Sequence, residues 1–298
     1  MDGSAFNPSA NSFAQKEQVL GVLKSLAENR PALVGLIMLM VLTGTGLLAP
    51  WLAPHDPIAQ NLKVRLAGPC QEYPFGTDDL GRCVLSRVIY GTRTSLKLGV
   101  LIVGITAVTG SLIGLVSGYR GGVTDEIVMR IVDIFLAFPG IILALVIAGI
   151  LGPGIFNVMI ALAIMGWTGY ARLVRGCVMS TRERTFVEAS RAIGGGGFYT
   201  MFRHILPDVL GPVVVMATLG MGWAILSAAA LSFLGLGAQP PLPEWGSMLN
   251  SGRAYLKTAW HLSTFPGLAI MVSVLACNFL GDGLRDALEP PKKGYVDL

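Results

Sequence analysis

Residues 134–171 read IFLAFPGIILALVIAGILGPGIFNVMIALAIMGWTGYA, with no Asp, Glu, Lys or Arg anywhere in the run. Crossing the hydrocarbon core of a bilayer takes roughly 20 apolar residues of helix, because every backbone amide there must find its partner within its own segment. The run is too long for one crossing and is interrupted at Gly152-Pro153-Gly154. It therefore reads as two spans joined by a very tight turn, the first beginning near Ile127. Four further uncharged stretches lie outward from it: Pro31 to His55, Leu98 to Tyr119, Val209 to Pro243 and Thr258 to Gly281. The sum is an all-α integral membrane fold with six transmembrane helices. Composition agrees, since 53% hydrophobic against 13% charged residues in 298 is too apolar for an ordinary soluble domain.

Lys and Arg set the orientation, because short loops rich in them stay cytoplasmic. Lys16, Lys24 and Arg30 precede the first span, Arg120 follows the second, residues 172–203 hold a cluster after the fourth, and Lys292 and Lys293 close the chain. Both termini are expected in the cytoplasm. The external loop pulls the other way, with Lys63, Arg65, Arg82, Arg87, Arg93 and Lys97 offset only partly by Asp56, Glu72, Asp78 and Asp79. The expected layout is a cytoplasmic tail over 1–30, an anchor over 31–55, an extracytoplasmic loop over 56–97, a five-span core over 98–286 and a cytoplasmic tail over 287–298. Residues 1–30 lack the apolar centre and cleavage site of a secretory signal, so the first span reads as an uncleaved anchor. It stands apart from the core in sequence. Within the loop, Val84, Leu85, Val88 and Ile89 recur at helical spacing and predict a surface helix over 81–98. The net charge of +4 is what the positive-inside rule produces, and no basic run interleaved with aromatics points to nucleic acid.

Cysteines 70, 83, 177 and 277 form no CxxC pair. Cys70 and Cys83 share the external loop, where an oxidising compartment could join them. Cys177 and Cys277 read as small packing residues. His55, His204 and His261 are scattered along the chain, so no metal site is expected.

The segment after the fourth span, residues 176–207, is the most informative. Thr185-Phe186-Val187-Glu188 fits a capping box, in which Thr185 accepts from the Glu188 amide and Glu188 reaches back. The helix so started ends at Gly194, where glycine takes the left-handed conformation. A second amphipathic stretch, 198–206, stops against Pro207. Two short helices meeting at a glycine corner make either a rigid knob for a soluble partner or an ordinary connector.

Glu188-Ala189-Ser190, then Gly194, then Leu206-Pro207 resembles, in residues and spacing, the EAA loop of ABC-importer permeases. The usual isoleucine two places before Leu206 is His204 here, with Ile205 adjacent. Further matches run along nearly the whole chain: Gly76-Thr77-Asp78-Asp79-Leu80-Gly81-Arg82, Tyr90-Gly91-Thr92-Arg93, Ala137-Phe138-Pro139, Phe233-Leu234-Gly235-Leu236-Gly237 and Glu244-Trp245-Gly246. Together they resemble the type C permease subunits of the dipeptide, oligopeptide and nickel importers, although Cys83 replaces an aspartate common in that group. The resemblance implies a type I importer (MetI-like) core in a bacterial inner membrane. It implies as partners a second, similar permease forming a heterodimer, two ATPase subunits and an extracytoplasmic solute-binding protein, besides membrane lipid. Residues Glu188, Ala189, Ser190, Gly194, Leu206 and Pro207 would then dock on the ATPase. ATP and Mg would belong to those partners and no cofactor to this chain, which has no G-x-x-x-x-G-K-[ST] phosphate loop of its own.

Other candidates carry plainer alternatives. Arg130 and Asp133 share a helix face with Glu126, and charges at that depth must be paired or face water, so Asp133 is either a structural ion-pair member or a pathway residue. Pro139 should kink the third span, for a gate or for packing. Met221 and Trp223 beside Gly220 and Gly222 could line a gate or simply pack. A short helix from Glu244 to about Tyr255 should lie on the external face, with Glu244, Trp245 and Arg253 as candidate contacts for the binding protein or as parts of a surface plug. The leading function is half of an inward pathway for di- and oligopeptides. Uptake of nickel or its chelate is the alternative substrate, and a membrane scaffold the reading without transport. An intramembrane enzyme would need a base beside Asp133, and no histidine lies near it in sequence.

Overall fold

The computed structural model of the chain describes residue 21 and residues 24–288. Its first long helix, α1 (Arg30–Leu47), starts where the Asn29 side chain accepts from the Ala32 amide at 3.2 Å and Pro31 fills the first turn, whose amides have no helical partner anyway. This span is separate in sequence only. A Cβ on Gly35 would lie 2.8 Å from the Ala276 carbonyl oxygen, and one on Gly283 would lie 2.2 Å from the Ala32 methyl, so α1 is laid directly on the last helix, α9 (His261–Leu288). Small residues allow that approach between helices in lipid.

After α1, residues 53–83 are irregular apart from a single 3-10 turn, Leu62–Val64, and lead into α2 (Val84–Arg120). The expected surface helix is not a separate element. No proline interrupts residues 84–120, so it continues without a break into the second span until Gly121, at φ +65°, ends the helix. The 37 residues reach about 56 Å, well beyond the hydrocarbon core of about 30 Å, so one end projects from the membrane. Buried charges surround its N-terminal end: Arg82 donates to Asp78 at 2.7 Å, Arg87 stands 3.5 Å from the same carboxylate, and Arg87 also donates to the Pro57 carbonyl at 3.0 Å.

The third span differs from expectation. It consists of α3 (Gly122–Leu136) and α4 (Gly140–Leu151), which meet at 86° across residues 137–139. Pro139 does more than kink. Its ring excludes the residue before it from the helical region and it brings no amide hydrogen, so the chain leaves the helix and starts another. After the turn at 152–154 come α5 (Ile155–Thr181), α6 (Thr185–Ala192), α7 (Leu206–Phe233), α8 (Trp245–Gly252) and α9. Among the described residues five helices are long and apolar enough to cross a membrane alone, and the bent pair α3 and α4, taken as one span, makes six. There is no strand among the described residues.

The core is built on α2 against α5. Gly110, Gly114 and Gly118, one turn apart on α2, face the carbonyls of Trp167, Ala171 and Arg175, and an added Cβ would come within 2.3, 2.4 and 2.9 Å of them. Buried Leu115, Val174, Val178 and Val209 extend this contact to α7, while Ile102, Leu162, Ala224 and Leu231 form the next layer.

Candidate functional site

The segment after α5 folds as a knob fastened to the bundle. Helix α6 buries Val187 and Ser190 and leaves Glu188 and Ala189 exposed. The capping box is replaced by backbone: the Glu188 amide donates to the Arg184 carbonyl at 3.3 Å. Gly194, at φ +88°, ends the helix as expected, and the Gly195 amide closes back on the Ser190 carbonyl at 2.9 Å. Beyond the one-turn helix Gly197–Thr200, residues 201–205 form a π-helical turn that runs straight into α7. Pro207 therefore does not stop a helix. It occupies the first turn of one, where its missing N–H costs nothing. Asp208 ties the knob down, accepting from the Thr181 hydroxyl at 2.7 Å and pairing with Arg184 at 3.1 Å. Leu206 is half-buried and Gly194 and Pro207 are exposed, so the named residues divide into an outward group and a seating pair, Ser190 and Leu206.

Inside the membrane portion a cleft of about 430 Å³ opens where the broken span meets α5 and α7. Its walls include Phe135, Leu136, Phe138 and Gly140 from either side of the break, Met165 and Thr168 from α5, and Gly220 and Trp223 from α7. Trp223 thus stands at a cavity, while Met221 packs against the core and Pro139 sits between two lining residues. Asp133 is paired with Arg172 on α5 and not with Arg130, whose own partner is Glu126 at 3.8 Å. Below this, Arg175 holds Asp125 through two hydrogen bonds of 2.6 Å, with the Ser117 hydroxyl donating to the same carboxylate. Sequence reading missed both arginine partners, although each sits in the C-terminal half of the long helix α5, where a cation requires a carboxylate on a neighbouring helix.

Two of the three proposed external contacts are internal. Glu244 is 1% and Trp245 0% exposed. The Glu244 carboxylate caps α8, accepting from the Gly246 and Ser247 amides at 2.8 Å each, while the Trp245 indole donates to the Val88 carbonyl at 3.1 Å. They are unavailable to a docking protein because they lock α8 onto α2. Arg253 remains exposed, its guanidinium 5.9 Å from the centre of the Phe233 ring. Cys70 and Cys83 are free thiols, one exposed and one buried at the head of α2, so the suggested disulfide is not formed. Of the histidines, His261 is buried with Nε2 3.2 Å from the Thr77 carbonyl, and His55 stacks on Tyr73.

Residues 110–293 match the model of the binding-protein-dependent transport system inner membrane component, and residues 20–69 match the N-terminal TM domain of oligopeptide transport permease C. The chain belongs to this permease family. It is the membrane component of an ABC importer and not the ATPase. It is 46% identical to the di/tripeptide transport system permease protein DppC of Pseudomonas aeruginosa over 91% of both chains. It is 45% identical to the dipeptide permease DppC of Alkalihalophilus pseudofirmus over 96% of both. Against the glutathione permease GsiD of Escherichia coli the identity is 47% over 88% of this chain and 87% of the other. The permease family's two matched segments meet the structure at α1 for the N-terminal part and from the middle of α2 onward for the rest.

Proposed function

We propose that this permease forms one half of an inward pathway for di- and tripeptide-sized solutes. A second, similar permease supplies the other half, two ATPases bind ATP and Mg, and an extracytoplasmic binding protein delivers the solute. The relatives named for dipeptides, di/tripeptides and glutathione support the substrate class, and no observation favours nickel. The Lys and Arg distribution supports cytoplasmic termini in a bacterial inner membrane.

The observation that carries the coupling role is the knob: a short helix with Glu188 and Ala189 outward, stopped at a left-handed Gly194 and braced through Asp208 to α7. Force applied there reaches the span that carries Trp223. The test is uptake of labelled dipeptide, with nickel in a parallel arm, by vesicles holding the complete complex, ATP and binding protein. Dipeptide should accumulate, and failure of both substrates overturns the assignment. Replacing Glu188 or Gly194 should separate ATP hydrolysis from uptake with insertion intact. Normal coupling in both variants would remove the docking role.

A further inference from the structure

Two ionic rungs join α3 to α5, and they differ in character. The lower, Asp125 with Arg175, is made of two short hydrogen bonds, has a third partner in Ser117, and is only 15% and 30% exposed. The upper, Asp133 with Arg172, is a single contact between side chains 60% and 52% exposed. The spacing also differs. Asp133 lies eight residues beyond Asp125, about 12 Å along α3, whereas Arg172 and Arg175 are three residues apart, about 4.5 Å along α5. The two partners of the upper rung are therefore offset along the helix axes, and that rung is spanned obliquely by the reach of the arginine.

The upper rung also sits at one end of the cleft. Arg172 is one turn past the lining residues Thr168 and Gly169 on the same helix face, and Asp133 is three residues before the lining Leu136. Just beyond, α3 ends in the 86° break. A segment held at its base by the lower pair, seated by Val132 and by Phe135 edge-on to Trp167, and crossed on its open side by one exposed pair has the geometry of a latch. An exposed pair in reach of water is worth little, so it can part and re-form within a transport cycle.

We infer that Asp133 and Arg172 are positioning residues that close the cytoplasmic end of the cleft and separate when it opens inward, while Asp125 and Arg175 are the fixed pivot. This rests on the permease reading above. The test uses the complete complex in vesicles, with the four native cysteines replaced and Asp133→Cys and Arg172→Cys introduced together. Joining the two thiols with a short bifunctional reagent should abolish ATP-driven dipeptide uptake, and cleaving the linker should restore it. A permanent structural contact would tolerate the cross-link, so undiminished uptake in the linked state overturns the latch. The charge-swapped pair Asp133→Arg with Arg172→Asp, which keeps the bridge, should couple hydrolysis to uptake as the parent does. Asp133→Asn alone should raise hydrolysis without binding protein by up to about five-fold, the population shift expected from losing one exposed pair. Parental hydrolysis in Asp133→Asn also counts against the latch. A parent complex that takes up no dipeptide defeats the permease reading and the latch with it, whereas normal parental uptake with indifferent variants defeats the latch alone.

Discussion

At the residue scale the seating of α8 is decided by one carboxyl. Glu244 is almost fully buried, and removal from water holds its carboxyl above the usual carboxylate range, with the Gly246 and Ser247 amides pulling partly back. A folded-state pKa above the unfolded one means that the ionised form is penalised in the fold. Stability should therefore rise as pH falls through the raised folded value toward the ordinary carboxyl value of 4.5, and level off below it, where both states are protonated. Thermal unfolding in detergent should show this slope, and Glu244→Gln should flatten it; an unchanged slope would mean that another group carries it. Removing the cap with Glu244→Ala should cost about 1 kcal/mol. The thiols give a second residue-scale outcome. In the folded protein Cys70 should alkylate readily and Cys83 only after denaturation, as their exposures require; equal rates would contradict the burial of Cys83. The sequence predicted a short helix beginning at Glu244 and Trp245, and the structure has one over Trp245–Gly252 capped by Glu244, but the residues alone could not tell which way these two side chains point. A glutamate next to a tryptophan at a helix start has the same spelling whether it caps inward or binds outward, and only the neighbouring Ser95 and Val88, far away in the chain, decide it.

At the element scale, the apolar runs and their breaks were legible because lipid permits so few solutions. Backbone satisfaction forces helices, and Gly152-Pro153-Gly154 and Gly194 stop them where the residues say they must. What was not legible was continuity. Residues 84–98 have helical periodicity with charges outside, which looks like a surface helix, and nothing local reveals that the hydrogen-bond ladder runs on to Arg120. Pro139 is the reverse case, since one proline spells either a kink or a break, and the sequence alone does not say which. The α2–α5 contact makes a further prediction. Gly114→Val would drive a side chain into the Ala171 carbonyl, 2.4 Å from its first carbon. Overpacking of this sort costs about 1–3 kcal/mol. A lowered melting temperature is expected, while Gly104→Val, with nothing within 4 Å of its Cβ position, should leave it unmoved.

At the scale of the whole molecule, the knob and the cleft lie on one continuous element. From Asp208, which seats the knob, to Trp223, which lines the cleft, α7 runs fifteen residues, about 22 Å, as a single helix. A helix, here with Pro212 inside it, transmits displacement only if its end is gripped, and the grip consists of the Thr181 and Arg184 contacts to Asp208 together with buried Val187 and Ile205. Asp208→Ala deletes the polar part and leaves the apolar part. The pair with Arg184 is half-exposed and contributes at most about 1 kcal/mol, so the protein should still fold and insert. The consequence should appear instead in the ratio of dipeptide moved to ATP hydrolysed by the complete complex in vesicles. That ratio should fall while hydrolysis persists, because the ATPase would then move a knob that slips against α7. A conservative Asp208→Asn, which can still accept from Thr181, should recover most of it. If the ratio is unchanged in Asp208→Ala, the apolar seating alone carries the stroke and α7 is driven through Val187 and Ile205.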